Sequence, residues 1–152
     1  MDIIMQPVAF VRNNRTGTSD DYWGGILSEI VLADGIPDEA FEGIDAFSHV
    51  EIIFHFNQSD PAAIVYSGHP RGNKAWPHVG IFAQRKKDRP NAIGLTIAEL
   101  VKKEGRTLFV RNLDAIDGTP ILDIKPVLRE FLRKGAIQQP AWATELMQQY
   151  WL

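Results

Sequence analysis

Cysteine is absent from this chain, which removes disulfides, thiolate nucleophiles, cysteine-ligated zinc and iron–sulfur clusters together. No stretch approaches the roughly 20 consecutive apolar residues of a membrane-spanning helix. Met1-Asp2-Ile3-Ile4-Met5 has neither the basic start nor the apolar block of a secretory signal. A cytoplasmic location, away from membranes, is expected. The glycine signatures G-x-G-x-x-G and G-x-x-x-x-G-K-[ST] are missing, so neither a dinucleotide fold nor a P-loop is supported. No G-x-S-x-G elbow sets up a serine nucleophile. His49, His55, His69 and His78 show no H-x-x-x-H or H-x-H spacing, and no metal site is expected.

What is present fits one folded domain over residues 1–152, with 45% hydrophobic and 23% charged residues, enough to enclose a single core. A net charge of −3 argues against binding nucleic acid with the whole surface but leaves room for a local patch. That patch lies between His69 and Arg89, where Arg71, Lys74, Arg85, Lys86, Lys87 and Arg89 face one acid, Asp88. A cationic segment on an otherwise acidic body points to an anionic partner. The following Arg89-Pro90-Asn91-Ala92-Ile93-Gly94-Leu95 supplies a restricted turn and a glycine that permits close approach of another segment or a ligand.

Along the chain, Ile4 to Arg12 and Ile26 to Leu32 read as strands, separated by a polar loop with an aromatic pair, Tyr22-Trp23. Pro37 to Phe41 suits a short helix start. Phe47 to Phe56 is the densest aromatic and β-branched run and predicts a strand. Further strands are expected over Ala62 to Tyr66, Val79 to Ala83, Ala92 to Leu100 and Thr107 to Leu113, with a turn at Lys102-Lys103-Glu104-Gly105. Helix over Thr96 to Glu104 is an open alternative. Asp117-Gly118-Thr119-Pro120 marks a turn before a short apolar segment. Pro126 to Lys134 and Pro140 to Tyr150 read as helices, the second carrying an apolar stripe of Trp142, Leu146, Tyr150 and Trp151. Asp114, Asp117 and Asp123 admit a magnesium-cluster reading. Turn capping by Asp117 and solvation of the other two is the plainer one. Many short strands with few helices predict a mainly β, mostly antiparallel barrel with helical trimmings.

Four segments, Phe47-Ser48-His49, Gly80 to Arg85, Arg89 to Leu95 and Asp117 to Pro126, resemble in order and spacing the successive signatures of the TrmO (YaeB-like, TsaA-like) family. The similarity covers roughly residues 6 to 128, leaving 129 to 152 as a helical tail and no additional C-terminal domain. The resemblance implies a single antiparallel β-barrel of six or seven strands that binds S-adenosylmethionine (SAM) at or near a homodimer interface. It also implies N6-methylation of threonylcarbamoyladenosine beside the tRNA anticodon. The family's SAM contacts fall on Asn57, Gln58, Arg85, Leu95 and Asp117, Gly118, Thr119 and Pro120. Its early loop falls near Trp23 and Gly24, where the usual Pro-x-Gln-x-Gly is rewritten with Asp20, Asp21 and aromatics, and Ala92 replaces a family proline.

On this resemblance Arg85 pairs with the SAM carboxylate, Trp23 stacks on a base, and Arg71, Lys74, Lys86, Lys87 and Arg89 meet tRNA phosphates. No general base is identified. A small-molecule acceptor, suggested by Asp20 and Asp21, and a non-catalytic SAM- or nucleotide-binding module are the rival readings.

Overall fold

In the computed structural model, which describes residues 1–152, the aromatic and β-branched run at the centre of the chain becomes the strand that holds the fold together. There are eight strands: β1 (Ala9–Arg12), β2 (Leu27–Leu32), β3 (His49–His55), β4 (Ser67–Gly68), β5 (Val79–Gly80), β6 (Ile93–Glu104), β7 (Thr107–Arg111) and β8 (Pro120–Pro126). Six of them close an antiparallel barrel in the order β1-β2-β7-β6-β3-β8, while β4 and β5 pair separately. β3 sits between β6 and β8 and pairs along its length with both.

The two-residue period of the strands builds the interior. Val50, Ile52 and Phe54 of β3 point inward with Ala9, Val11, Ile30, Leu32, Leu108, Val110 and Ile121, and Phe41, Leu113 and Ala115 complete this cluster. β6 is the longest strand. A register shift between Leu100 and Lys102 bends it so that one half pairs with β3 and the other with β7. Both prolines of β8 stand at its ends, where the missing N–H costs least.

Several local expectations are corrected. The first strand begins at Ala9, because Met1 to Met5 stay exposed and unpaired. Ala62 to Tyr66 is no strand: Asp60 accepts from the Ala62 N–H and Pro61 opens a 3-10 turn, Pro61–Ala63. Val79 to Ala83 is strand for two residues only and then a 3-10 turn. Thr96 to Glu104 is strand, and β6 runs through Lys102 and Lys103 to turn at Gly105, whose φ is +54°. Pro126 to Lys134 forms only the 3-10 turn Arg129–Phe131, and the last helix, α1, is Ala141–Leu146. Residues 128–140 are exposed throughout, and a short helix without a packed face is marginal in water.

Antiparallel closure places the end of β1, the start of β2, the end of β7, the start of β6, the end of β3 and the start of β8 on one rim. Three connections emerge there: 13–26, 56–92 and 112–119. They carry Trp23, Gly24, Asn57, Gln58, Arg71, Lys74, Lys86, Lys87, Arg89 and Asp117 to Thr119, while Leu95 lies two residues inside β6.

Gly94 serves the core. A Cβ there would overlap the Phe54 ring, which is fully enclosed and has no room to swing away. Gly94→Ala is therefore expected to destabilise the barrel by about 1–3 kcal/mol through overpacking. Urea unfolding should show a lower midpoint at unchanged slope; an unshifted midpoint would contradict the packing.

Candidate functional site

The connection from β1 to β2 contains a single cation, Arg15, amid Asp20 and Asp21, and that side chain organises the loop. Its guanidinium donates to the carbonyls of Tyr22 (2.6 Å), Asp21 (2.6 Å) and Ser19 (3.0 Å) and to the Ser19 hydroxyl. It also lies 3.5 Å from the centre of the Trp23 ring, a cation–π contact. Trp23 is consequently only 5% exposed. In this structure its ring is not presented for stacking on a base.

Asn13 joins this loop to the connection from β7 to β8. Its side-chain amide donates to the buried Ser28 hydroxyl and to the Ala115 carbonyl, both at 2.9 Å. Its main-chain N–H donates to the Asp117 carboxylate at 3.1 Å, so Asp117 ties the two connections together instead of capping its own turn. The N–H groups of Asp117, Gly118 and Thr119 go to the carbonyls of Arg15, Val11 and Ile116. Thr119 is buried, with its hydroxyl on the Ile116 carbonyl. Asp123 pairs with Lys125 at 2.7 Å, and no group of three potential metal ligands is brought together.

Arg85 is exposed and donates to the Leu95 carbonyl at 2.8 Å, with no carboxylate in ion-pair range. It is anchored yet uncompensated. Other members of the basic segment differ. Arg71 is engaged by Asp21 at 2.9 and 3.1 Å, with Asp20 at 3.8 Å. Arg89 donates to the Gln84 carbonyl, and Lys87 stands 3.4 Å from Asp88. Lys86 is half-buried and Lys74 exposed. Asn57 and Gln58 are exposed in the turn after β3, which Asp88 ties down by accepting from the Asp60 N–H.

The C-terminal segment returns to this rim. The Tyr22 and Trp23 N–H groups donate to the carbonyls of Gln149 (3.0 Å) and Tyr150 (2.7 Å). Trp76 Nε1 donates to Glu145 of α1 at 2.8 Å. Gly24 serves this packing, since a Cβ would overlap the Trp151 carbonyl. The Tyr150 hydroxyl donates to one oxygen of Asp114, and the Thr96 hydroxyl donates to the other. Asp114 is thus held between two hydroxyls and is not merely solvated.

Five non-glycine residues have positive φ: Tyr22, Arg71, Asn91, Ala92 and Asn112. All lie on the three rim connections, and such strain concentrates where function over-determines the backbone. Arg15, Asn13 and Thr96 are rim residues that sequence reading did not select, while Asp114 reads from the sequence as a solvated or magnesium-cluster carboxylate and Tyr150 as part of an apolar stripe. A lone cation in an acidic, aromatic loop was the available signal for Arg15; nothing local marked Asn13 and Thr96 or the pairing of Asp114 with Tyr150.

Burial, followed by the Asp114 charge and the hydrogen bond to it, holds the Tyr150 phenol protonated well above its ordinary value of 10.0, with Arg85 acting in the opposite direction. The folded chain keeps a proton that the unfolded chain releases, so this contribution is complete below the ordinary value and is lost as pH rises above it. Stability followed from about pH 8 to about pH 11 should fall more steeply for the wild type than for Tyr150→Phe. Parallel curves would remove Tyr150 from that titration.

Comparison with known proteins agrees with the barrel and its motif order. The family model described as the tRNA-methyltransferase O N-terminal domain matches residues 10–131. A tRNA (adenine(37)-N6)-methyltransferase of Homo sapiens is 39% identical over 105 residues, 68% of this chain and 23% of that protein. A probable S-adenosyl-L-methionine-binding protein of Methanothermobacter thermautotrophicus is 34% identical over 131 residues, 83% of this chain and 90% of that one. A crystal structure of TrmO from Pseudomonas aeruginosa superposes with a TM-score of 0.74 at 24% identity, over 93% of this chain and 62% of its own, a likeness of fold. The chain spans less than a quarter of the length of the mammalian methyltransferases it matches. With its barrel, its rim motifs and a family match over most of its residues, the chain belongs to the TrmO N-terminal domain family.

Proposed function

We propose that this chain is a SAM-dependent methyltransferase acting on tRNA, at N6 of threonylcarbamoyladenosine beside the anticodon. The observation that carries the reading is Arg85, a rim guanidinium fixed by the Leu95 carbonyl and left without an acidic partner. Such a group suits a carboxylate ligand. The relatives, a tRNA (adenine(37)-N6)-methyltransferase and a probable S-adenosyl-L-methionine-binding protein, suggest the carboxylate-bearing cofactor and the acceptor class.

The residues present fit SAM. Arg85 would hold its carboxylate and the exposed Leu95 its apolar part, with the amides of Asn57 and Gln58 nearby in the sequence of the rim. The N–H groups of the Asp117 turn are spent on the barrel, but the Asp117 and Gly118 carbonyls have no main-chain partner and remain acceptors for amino or hydroxyl groups. When bound, SAM supplies an already activated methyl group, so the protein's task is alignment and electrostatics.

Lys74, Lys86, Lys87 and Arg89 are the cations of the 56–92 connection for tRNA phosphates. Arg71 is assigned to positioning, because Asp21 occupies it. The same ion pair offsets the acidity of the early loop, which was the motive for a small-molecule acceptor. The outer face of β6 exposes Ile93, Leu95 and Ile97, an apolar strip that suits the homodimer interface of this reading. The cytoplasm, where tRNA is processed, is the corresponding location; no helix is long and apolar enough to cross a membrane.

Arg85→Ala should weaken SAM binding by about 1–3 kcal/mol, whereas Lys86→Glu with Lys87→Glu should weaken tRNA binding and flatten its salt dependence while sparing SAM. Calorimetry with SAM and a filter-binding salt series with tRNA separate the two; wild-type values in either arm refute that assignment. Ile97→Glu should convert a dimer to monomer in analytical ultracentrifugation, and an unchanged sedimentation coefficient would refute the strip.

A further inference from the structure

The barrel is complete at β8, and the family match ends at residue 131, yet residues 141–152 return to the rim and bond to Tyr22, Trp23, Trp76 and Asp114. They do so after an exposed run, residues 128–140. A segment tethered in this way, with few apolar anchors, belongs to the least stable part of a fold and can leave without unfolding it.

What the tail occupies is informative. Its carbonyls take the Tyr22 and Trp23 N–H groups, two donors of the loop that aligns with the family's early cofactor loop. Its Tyr150 ring places a hydroxyl donor on Asp114. The other oxygen of Asp114 is held by Thr96, the residue after Leu95, whose carbonyl anchors Arg85. A planar aromatic ring therefore presents a single donor to a carboxylate, one residue along β6 from the uncompensated guanidinium. An aminopurine presents the same chemistry: a planar ring with an exocyclic N–H donor.

We infer that Asp114 is the hydrogen-bond acceptor for the exocyclic N–H of the substrate adenine, and that Tyr150 holds this place until the base displaces the C-terminal segment. The inference rests on the proposed tRNA methyltransferase reading. During transfer the base nitrogen bonds to the methyl carbon, the carbon–sulfur bond breaks with its electron pair retained by sulfur, and the N–H proton passes to Asp114. Asp114 then combines recognition with proton acceptance, a role in which a carboxylate contributes about 100-fold or more to rate.

The test measures binding by fluorescence anisotropy of an anticodon stem–loop RNA in two forms, with threonylcarbamoyladenosine at the acceptor position or with its N6-methylated derivative, which lacks the N6–H. The full chain, Tyr150→Phe and Asp114→Ala are compared, with SAM affinity measured for each by calorimetry. Tyr150→Phe should bind the unmethylated RNA about 5-fold more tightly, the factor that one lost hydrogen bond represents. Wild type should prefer the unmethylated over the methylated RNA by about 10-fold, and Asp114→Ala, which removes the acceptor, should lose that preference with SAM affinity within about twofold of wild type.

Hydrogen exchange should show residues 141–151 losing protection when the unmethylated RNA binds. Weaker RNA binding by Tyr150→Phe, or a retained preference for the unmethylated RNA in Asp114→Ala, overturns the inference while leaving the tRNA reading intact. Absence of stem–loop binding in every variant overturns the tRNA reading, and this inference with it.

Discussion

The seam between β1 and β8 is where the barrel is weakest and where its candidate function begins. Only Ala9 with Ile121 and Phe10 with Pro120 are in strand register there. The seam is extended by bonds outside the regular ladder: Val8 N–H to Ile121, Val11 N–H to Thr119, Gly118 N–H to Val11 and Asp117 N–H to Arg15. Gly118, at φ +80°, allows the Asp117–Pro120 turn to fold back far enough to do this. Closure removes the exposed sheet edges that would otherwise invite pairing with other chains. The same bonds consume the N–H groups of the turn and leave the Asp117 and Gly118 carbonyls without a main-chain partner. Barrel closure and the presentation of the site therefore depend on one motif.

From that seam the rim is assembled by polar side chains that cross between connections. Asn13 binds Ser28, Ala115 and Asp117; Asn112 accepts from the Gly25 N–H at 2.9 Å; Arg15 gathers three carbonyls beneath Trp23. The positive-φ residues stand where these ties bend the chain most. Loops held in this way are preorganised, which lowers the ordering cost of binding. The basic segment becomes differentiated as a result. Arg71 is spent on the protein itself, whereas Arg85 and Arg89 are each anchored on a main-chain carbonyl with no carboxylate in ion-pair range, and Lys74 stays exposed. Counting charges along the sequence treats these residues as equals; their partners do not.

The C-terminal segment gives the rim its second layer. Its contacts are mainly polar and main-chain, unlike the apolar interior of the barrel, and they converge on Asp114, Trp23 and Trp76. Trp142 and Leu146 are half-buried and Trp151 is 42% exposed, so the apolar stripe covers the rim loops without entering the core.

The mainly β class, the antiparallel barrel and the order of the motifs were legible in the sequence, because a two-residue hydrophobic period and turn residues such as Asp117-Gly118 act locally. Runs of balanced composition were misread. Ala62 to Tyr66 has strand-forming residues, but the Asp60 and Pro61 capping chemistry prevailed. Pro126 to Lys134 has helical spacing but nothing to pack against. Tertiary structure alone decided that Gly94 accommodates Phe54, that Gly24 accommodates Trp151, and that Arg71 is neutralised by Asp21. It also decided that Asp114 meets Thr96 and Tyr150, 18 and 36 residues away. The physical reason is that periodicity encodes which face a residue shows, whereas the partner of a polar side chain is set by barrel closure and by where the chain returns.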